Sequence, residues 1–312
     1  MEPFTQIIGQ NTAIALLKSA IKQDRVSPAY LFTGMEGIGR RLTALAFAEA
    51  VINDPKSSLR VRGRNHPDLM WVEPTYLDKG KLLTAIEAES AGLKKRSAPQ
   101  IRLEQIRAIG QFLSQPPLES NRSLVIIEDA QTMPEAAANG LLKTLEEPGR
   151  ATIILIAPNV SSLLPTLVSR CQRIPFYTLS SSELMTVLSI QNFNQNGIDQ
   201  IFLQEIIDLA QGSPGAAIAN LAHFESIPAQ ILTDTQNLSS NPKQALSLAK
   251  NISKELELET QIWLLSYLQN YLWRSDKSDK SAKTMQSLES AKQQLSSYIQ
   301  PRLVWEVLLL GI

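Results

Sequence analysis

The chain has 312 residues, 30 Lys and Arg against 30 Asp and Glu, 44% hydrophobic residues and a single cysteine, Cys171. At roughly 100–200 residues per domain there is room for two or three cores, and the apolar fraction excludes a disordered, collagen-like or disulfide-stapled chain. One thiol closes no internal disulfide and rules out a Cys-rich structural zinc site, while the balanced charge argues against a free-standing nucleic-acid binder, whose affinity comes from clustered cations.

In chain order, a helix is predicted over 12–23, a β-rich run over 29–33, a helix over 40–52 and a strand over 69–72. A helix over 100–114, a strand over 123–128, a helix over 134–145, a strand over 151–157, a short helical stretch over 161–169 and a strand over 172–177 follow. Strands alternating with helices imply a parallel sheet covered on both faces, and runs such as LVII and TIILIA lack polar alternation, as central strands should. After Tyr177 the β signal stops. Helices are predicted over 180–190, 199–210 and 214–222, with a Gly-Ser-Pro-Gly break before the third. From His223 the pattern is helical, with Trp263, Leu264, Tyr267, Leu268, Tyr271 and Leu272 at i, i+3, i+4, i+7 spacing, and the stretch 276–283 reads as an exposed link. The expected organisation is an α/β domain over 1–177, a three-helix domain over 178–222 and an all-α domain over 223–312.

The amino-terminal MEPFTQIIGQ lacks the basic start and apolar stretch of a secretory signal, so a cytoplasmic protein is expected. The densest apolar segment, Ile262 to Leu272, is interrupted by Ser266, Gln269 and Asn270 and is too short to span a bilayer.

The first strand runs into Gly34-Met35-Glu36-Gly37-Ile38-Gly39-Arg40-Arg41 and then a helix. That order suits a phosphate-cradling loop, because glycines let backbone N–H groups converge on an anion at a helix N-terminus. Against the template G-x-x-x-x-G-K-[ST], the glycines hold their places, but Arg40 stands for the lysine and Arg41 for the hydroxyl that ligates Mg²⁺. A guanidinium there puts positive charge where a dication must sit, so neither metal nor cofactor is expected. A plain tight turn is the bland alternative. The strand over 123–128 ends in Glu128-Asp129, where nucleotide hydrolases carry an Asp that holds the metal and a Glu that polarises water. Here the order is reversed, and a merely solvated strand end is the competing reading. Ser169-Arg170-Cys171 places an arginine at the rim of the sheet domain. Such a cation can reach a γ-phosphate held by a neighbour, or form only a surface salt bridge. Cys171 reads as a small core residue.

Together, 34–41, Glu128-Asp129, the run Ala138-Asn139-Gly140-Leu141-Leu142-Lys143-Thr144-Leu145-Glu146-Glu147-Pro148, Ser169-Arg170-Cys171 and Gly212-Ser213-Pro214-Gly215-Ala216 resemble the clamp-loader branch of the AAA+ proteins. The resemblance covers Phe4 to Ala222; the remainder agrees only in being helical. It implies an AAA+ sheet domain, a helical lid and a collar of C-terminal helices in a hetero-pentameric loader, part of a DNA polymerase holoenzyme, that places a sliding clamp on primed DNA. It further implies gamma/tau-type motor subunits and a delta subunit as partners, with this chain in the non-hydrolysing position and Arg170 completing a motor's ATP site in trans. Many relatives hold a zinc with four cysteines, but 53–67 contains none. The lid motif Gly212, Pro214 and Gly215 is followed by Ala216 and Ala217, with no arginine to sense a phosphate. Arg102 and Arg107 are candidates for the DNA backbone by family position, against a solvated helix face. Two rival readings stand beside this one: an ATP-hydrolysing AAA+ motor, and an independent DNA-binding module, which the balanced charge disfavours.

Overall fold

The computed structural model describes residues 3–54, 56–93, 97–190, 200–236, 241–275, 279–297 and 299–311. The chain divides into two compact units, Met1–Glu183 and Leu184–Ile312.

In the first unit, β1 (Ala29–Thr33), β2 (Leu69–Val72), β5 (Ser123–Ile127), β6 (Ala151–Ala157) and β7 (Gln172–Pro175) form a five-stranded parallel sheet in the order β2-β5-β6-β1-β7. The unalternating apolar runs occupy the middle: every residue of β5 and β6 is buried. Their side chains divide by the strand period of two. Leu31, Val125, Ile127, Ile153 and Leu155 join a core with Ile106 and Ile109 of α5 (Leu103–Leu113), Ala137 and Leu141 of α6 (Glu135–Glu146) and Leu167 of α7 (Pro165–Val168). On the alternate β1 positions, Tyr30 meets Phe47 edge-on at 5.2 Å, which seats α2 (Arg40–Ile52) on the sheet beside α1 (Asn11–Lys22).

The predicted strands all form, with two shorter ends. β5 stops at Ile127, because Asp129 turns left-handed at φ 48°, and β7 stops at Pro175, after which the Phe176 N–H makes one more bond to β1, donating to the Thr33 carbonyl (2.7 Å). The helical stretch expected over 161–169 is broken. A 3₁₀ turn, Val160–Ser162, and α7 are separated by extended Leu163 and Leu164, since α7 starts afresh on Pro165.

Three features lie outside the predicted pattern. The cysteine-free stretch after α2 forms the short helix α3 (Ser58–Arg62). An antiparallel hairpin, β3 (Tyr76–Asp78) and β4 (Lys81–Leu83), turns through Lys79 at φ 46° and Gly80 at φ 82°. Next, α4 (Ala85–Ser90) opens with Thr84 and Glu87 in a reciprocal capping box. The β2 and β5 strands are tied at their starts by Asp68, which is 2% exposed. Its carboxylate accepts from the backbone N–H groups of Leu118 (2.6 Å), Glu119 (2.8 Å) and Ser120 (2.7 Å), and its carbonyl accepts from Leu124 (2.8 Å).

The described part of the second unit is helical: α9 (Gln200–Leu209), α10 (Pro214–Ser226), α11 (Ala229–Gln236), α12 (Pro242–Glu255), α13 (Leu258–Ser275), α14 (Asp279–Ser296) and α15 (Pro301–Gly311), with α8 (Ser181–Ile190) straddling the junction of the units. The boundary expected after Ala222 falls inside α10, which runs on to Ser226. The reason is packing: His223 of α10 stacks on Trp263 of α13 at 5.9 Å, and Trp263 on Tyr267 at 5.5 Å. The Trp263 indole donates to Asn220 (2.9 Å), and the Tyr267 hydroxyl donates to Glu205 of α9 (2.8 Å). Thus the expected second and third domains share one compact unit, and Trp263 and Tyr267 of α13 are internal core, whereas Trp273 near its end is exposed. Of the expected link over 276–283, residues 276–278 lie outside the described residues, and α14 has begun by Asp279. Position 199, the expected start of α9, also lies outside them. No helix among the described residues is long and apolar enough to cross a membrane.

Candidate functional site

The carboxyl ends of parallel strands are where such sheets bind ligands, because loops and helix N-termini converge there. The loop from Gly34 to Gly39 leaves β1 at this edge. A Cβ on Gly34 would stand 2.8 Å from the Phe176 carbonyl oxygen, so only glycine passes this close to the chain leaving β7. Gly39, at φ 101°, caps α2 in the left-handed region, and Gly37 also has positive φ at 73°.

Arg40, the first residue of α2, is buried at 6% exposure. Burial draws its guanidinium below the usual arginine range, while the charges of Asp129, Glu36 and Glu128 oppose that shift. Its Nη1 is enclosed and finds no acceptor.

Arg41 points to the acidic end of β5. Its Nη1 lies 3.4 Å from Glu128 Oε1, and the other carboxylate oxygen accepts from the Trp71 indole N–H at 3.2 Å. Burial lifts the Glu128 carboxyl above the ordinary range, with the Arg41 charge opposing the rise. Two guanidiniums lie against the Trp71 ring, Arg64 at 4.0 Å and Arg41 at 5.5 Å from its centroid, and Arg64 pairs with Glu73 at 3.4 Å. Asp129, with φ 48°, opens a 3₁₀ turn over Ala130–Thr132 and accepts from the Gln131 amide at 3.1 Å. This donor set does not suit Mg²⁺, which requires a hydroxyl or carboxylate shell open to water. Glu128 has both oxygens engaged, and a fixed cation stands beside it. Among the described residues, no group of three or more His, Cys, Asp or Glu side chains is arranged to hold a metal.

The structure therefore brings the glycine loop and the acidic strand end together, across 87 residues of sequence. Trp71 and Glu73, at the end of β2, and Arg64, in the turn after α3, complete the cluster and carry no local sequence signal of it.

Arg170 has different partners. Its Nη2 lies 2.7 Å from Glu146 Oε1 at the end of α6, and its Nη1 donates to the Thr166 carbonyl at 3.0 Å. Ser169 donates to the same carbonyl at 3.0 Å. Arg170 itself is exposed, whereas Cys171 is half-buried, and burial pushes its thiol up to about 11. Arg102 is the N-cap residue of α5, with its Nε enclosed and lacking an acceptor, and Arg107 is exposed on the same helix. In the second unit, Gly212 is left-handed at φ 84°, Ser213 caps α10 by accepting from Ala216 N–H at 3.2 Å, and Pro214 and Gly215 form its first turn. Ala217 is fully buried there.

A five-stranded parallel sheet with a glycine loop after β1 and an acidic end on β5, followed by a helical C-terminal part, is the AAA+ architecture. The fold is shared with a gamma subunit-related protein of DNA polymerase III from Thermotoga maritima, at a TM-score of 0.60 and 18% identity over 96% of this chain and 97% of that one. Residues 9–180 match the family model for DNA polymerase III, delta subunit, and residues 182–312 match that for the cyanobacterial DNA polymerase III delta prime C-terminal domain. The chain belongs to this DNA polymerase III delta/delta-prime family. Its relatives include the delta' subunit of Bacillus subtilis, 34% identical over 180 residues that cover 54% of this chain and 48% of that protein. The delta' subunit of Pseudomonas aeruginosa is 32% identical over 46% of this chain and 41% of its own length, and the tau subunit of B. subtilis is 27% identical over 73% and 39%. The chain thus spans about half or less of the length of these three relatives.

Proposed function

We propose that this protein is a non-hydrolysing, delta-prime-type subunit of a clamp loader, and that Arg170 acts in trans at the ATP site of a neighbouring subunit. The observation that carries the first part is Arg41: it holds the place of the metal-binding hydroxyl and is ion-paired with Glu128 at 3.4 Å, so the cation of this site is part of the chain. The rim position of Arg170 supports the second part. A guanidinium presented to a γ-phosphate stabilises charge that grows in the transition state, an effect of about 10³–10⁵ in rate where it has been measured. The neighbour is a gamma/tau-type motor. A delta subunit completes the hetero-pentamer in the cytoplasm, and the sliding clamp and primed DNA are reached through the assembly.

In this reading 1–177 is the AAA+ domain, the helices that follow form the lid, and the C-terminal helices form the collar. The exposed apolar side chains Leu303, Val307 and Leu310, spaced along one stripe of α15, with Ile299 just before the helix, supply a surface for packing against other subunits. Arg102 and Arg107 remain candidates for the DNA backbone.

The test uses the reconstituted loader. Arg170→Ala should lower DNA-stimulated ATP turnover at least about tenfold, equivalent to about 1.4 kcal/mol of transition-state stabilisation. The purified chain alone should not turn over ATP. Unchanged turnover by the variant loader would remove the trans role, and Mg²⁺-dependent hydrolysis by the chain alone, abolished by Glu128→Ala, would make it a motor instead.

A further inference from the structure

Glu146 is the last residue of α6 and Glu147 follows it at the C-cap. Two carboxylates at a helix C-terminus oppose the helix dipole, so on helix energetics alone the position is unfavourable. What Glu146 gains there is Arg170, whose Nη2 lies 2.7 Å from its Oε1. Both side chains are open to solvent, with 36% of Arg170 and 54% of Glu146 exposed, so the pair is not part of the core. A surface pair of this kind adds little to stability. Its effect is on freedom: an exposed arginine samples many rotamers, and here two acceptors from its own chain, Glu146 Oε1 and the Thr166 carbonyl, hold one of them. These contacts take two of the five guanidinium N–H donors and leave three for another acceptor.

We infer that Glu146 is a positioning residue for Arg170, fixing the guanidinium at the rim in advance so that it meets a phosphate presented by a neighbouring subunit without a loss of rotamer entropy at that moment. This rests on the trans role proposed above for Arg170. Because the fixed guanidinium acts on charge that develops during reaction, Glu146 contributes to kcat and not to the affinity of the neighbour for ATP.

The experiment compares loaders reconstituted with Glu146→Ala, Glu146→Gln, Arg170→Ala and the Arg170→Ala/Glu146→Ala double variant, measuring kcat and KM for DNA-stimulated ATP hydrolysis and the Tm of each purified chain. Glu146→Ala is expected to lower kcat by about fivefold at unchanged KM. Glu146→Gln should recover part of that loss, since its amide oxygen still accepts from the guanidinium. In the Arg170→Ala background, Glu146→Ala should change nothing, and Tm should stay level or rise as the carboxylate leaves the helix C-terminus. Full turnover by Glu146→Ala alongside an impaired Arg170→Ala overturns the positioning role and leaves the trans role standing. An equal loss in the Arg170→Ala background, or a fall in Tm that tracks kcat, also overturns it. Arg170→Ala without effect removes both proposals.

Discussion

Asp68→Asn exchanges one oxygen for an amide nitrogen at nearly constant volume, so its effect isolates the bonds that tie β2 to the start of β5. In the wild type, Oδ1 accepts from Leu118 N–H, and Oδ2 accepts from those of Glu119 and Ser120, all within 2.8 Å. With the amide nitrogen on the Leu118 side, one N–H meets a donor; the opposite placement loses two bonds. A hydrogen bond to a charged acceptor contributes about 1.5–3 kcal/mol, and the surviving bonds weaken when the acceptor turns neutral, so the expected loss is about 3 kcal/mol. Urea unfolding followed by circular dichroism, with both proteins compared at equal m, measures it. The charge part has a pH signature. Burial alone would raise the Asp68 carboxyl, but the N–H groups of Leu118, Glu119 and Ser120 together hold it below the usual range. A depressed folded-state pKa means the contribution is complete above the unfolded value of about 3.9 and is lost as pH falls through the folded value. The gap between wild type and variant should therefore stay level from about pH 8 to 5 and close below about pH 4. A difference below about 1 kcal/mol at neutral pH, or one that does not depend on pH, would refute the assignment of Asp68 as an anionic staple.

Arg41→Ala leaves Glu128 without its cation. Because Arg41 is half-exposed and screened, the loss should be about 1 kcal/mol or less at neutral pH. The folded-state pKa of Glu128 is already raised and should rise further, so the penalty is complete at neutral pH and relieved as pH falls through that value; a gap that widens on acidification in urea titrations refutes this. Cys171, with its thiol pushed up to about 11, should be alkylated by iodoacetamide at pH 8 roughly two hundredfold more slowly than a free cysteine, and an equal rate by mass spectrometry would show the thiol to be open to water.

The sheet was legible because β5 and β6 are long enough for an unbroken apolar run to mean burial on both faces. The hairpin was not: β3 and β4 have three residues each, too few to show a period, although Lys79-Gly80 is a turn that accepts positive φ at both positions. The Thr84 and Glu87 spacing announced α4 in retrospect. That α10 runs on past the boundary expected at 222/223 was hidden for a different reason, since helical periodicity reports which face is apolar and says nothing of which helix covers it. His223 belongs with Trp263, 40 residues on. In the site, the glycine loop, the acids and the Ser-Arg-Cys motif are contiguous and could be read directly, whereas the Trp71 bond to Glu128 spans 57 residues and the Arg170 bond to Glu146 spans 24, and only folding brings them together.

The Arg41–Glu128 pair has one more consequence. A metal ion arrives and leaves with its own equilibrium constant, so a pocket built around one changes shape with the supply of that ion. A cation carried on a side chain stays at the site whatever the concentration of free ions, though its rotamer can change. The ends of β2 and β5, joined through Trp71, Glu128 and Arg41, are therefore expected to hold the same arrangement at any magnesium concentration.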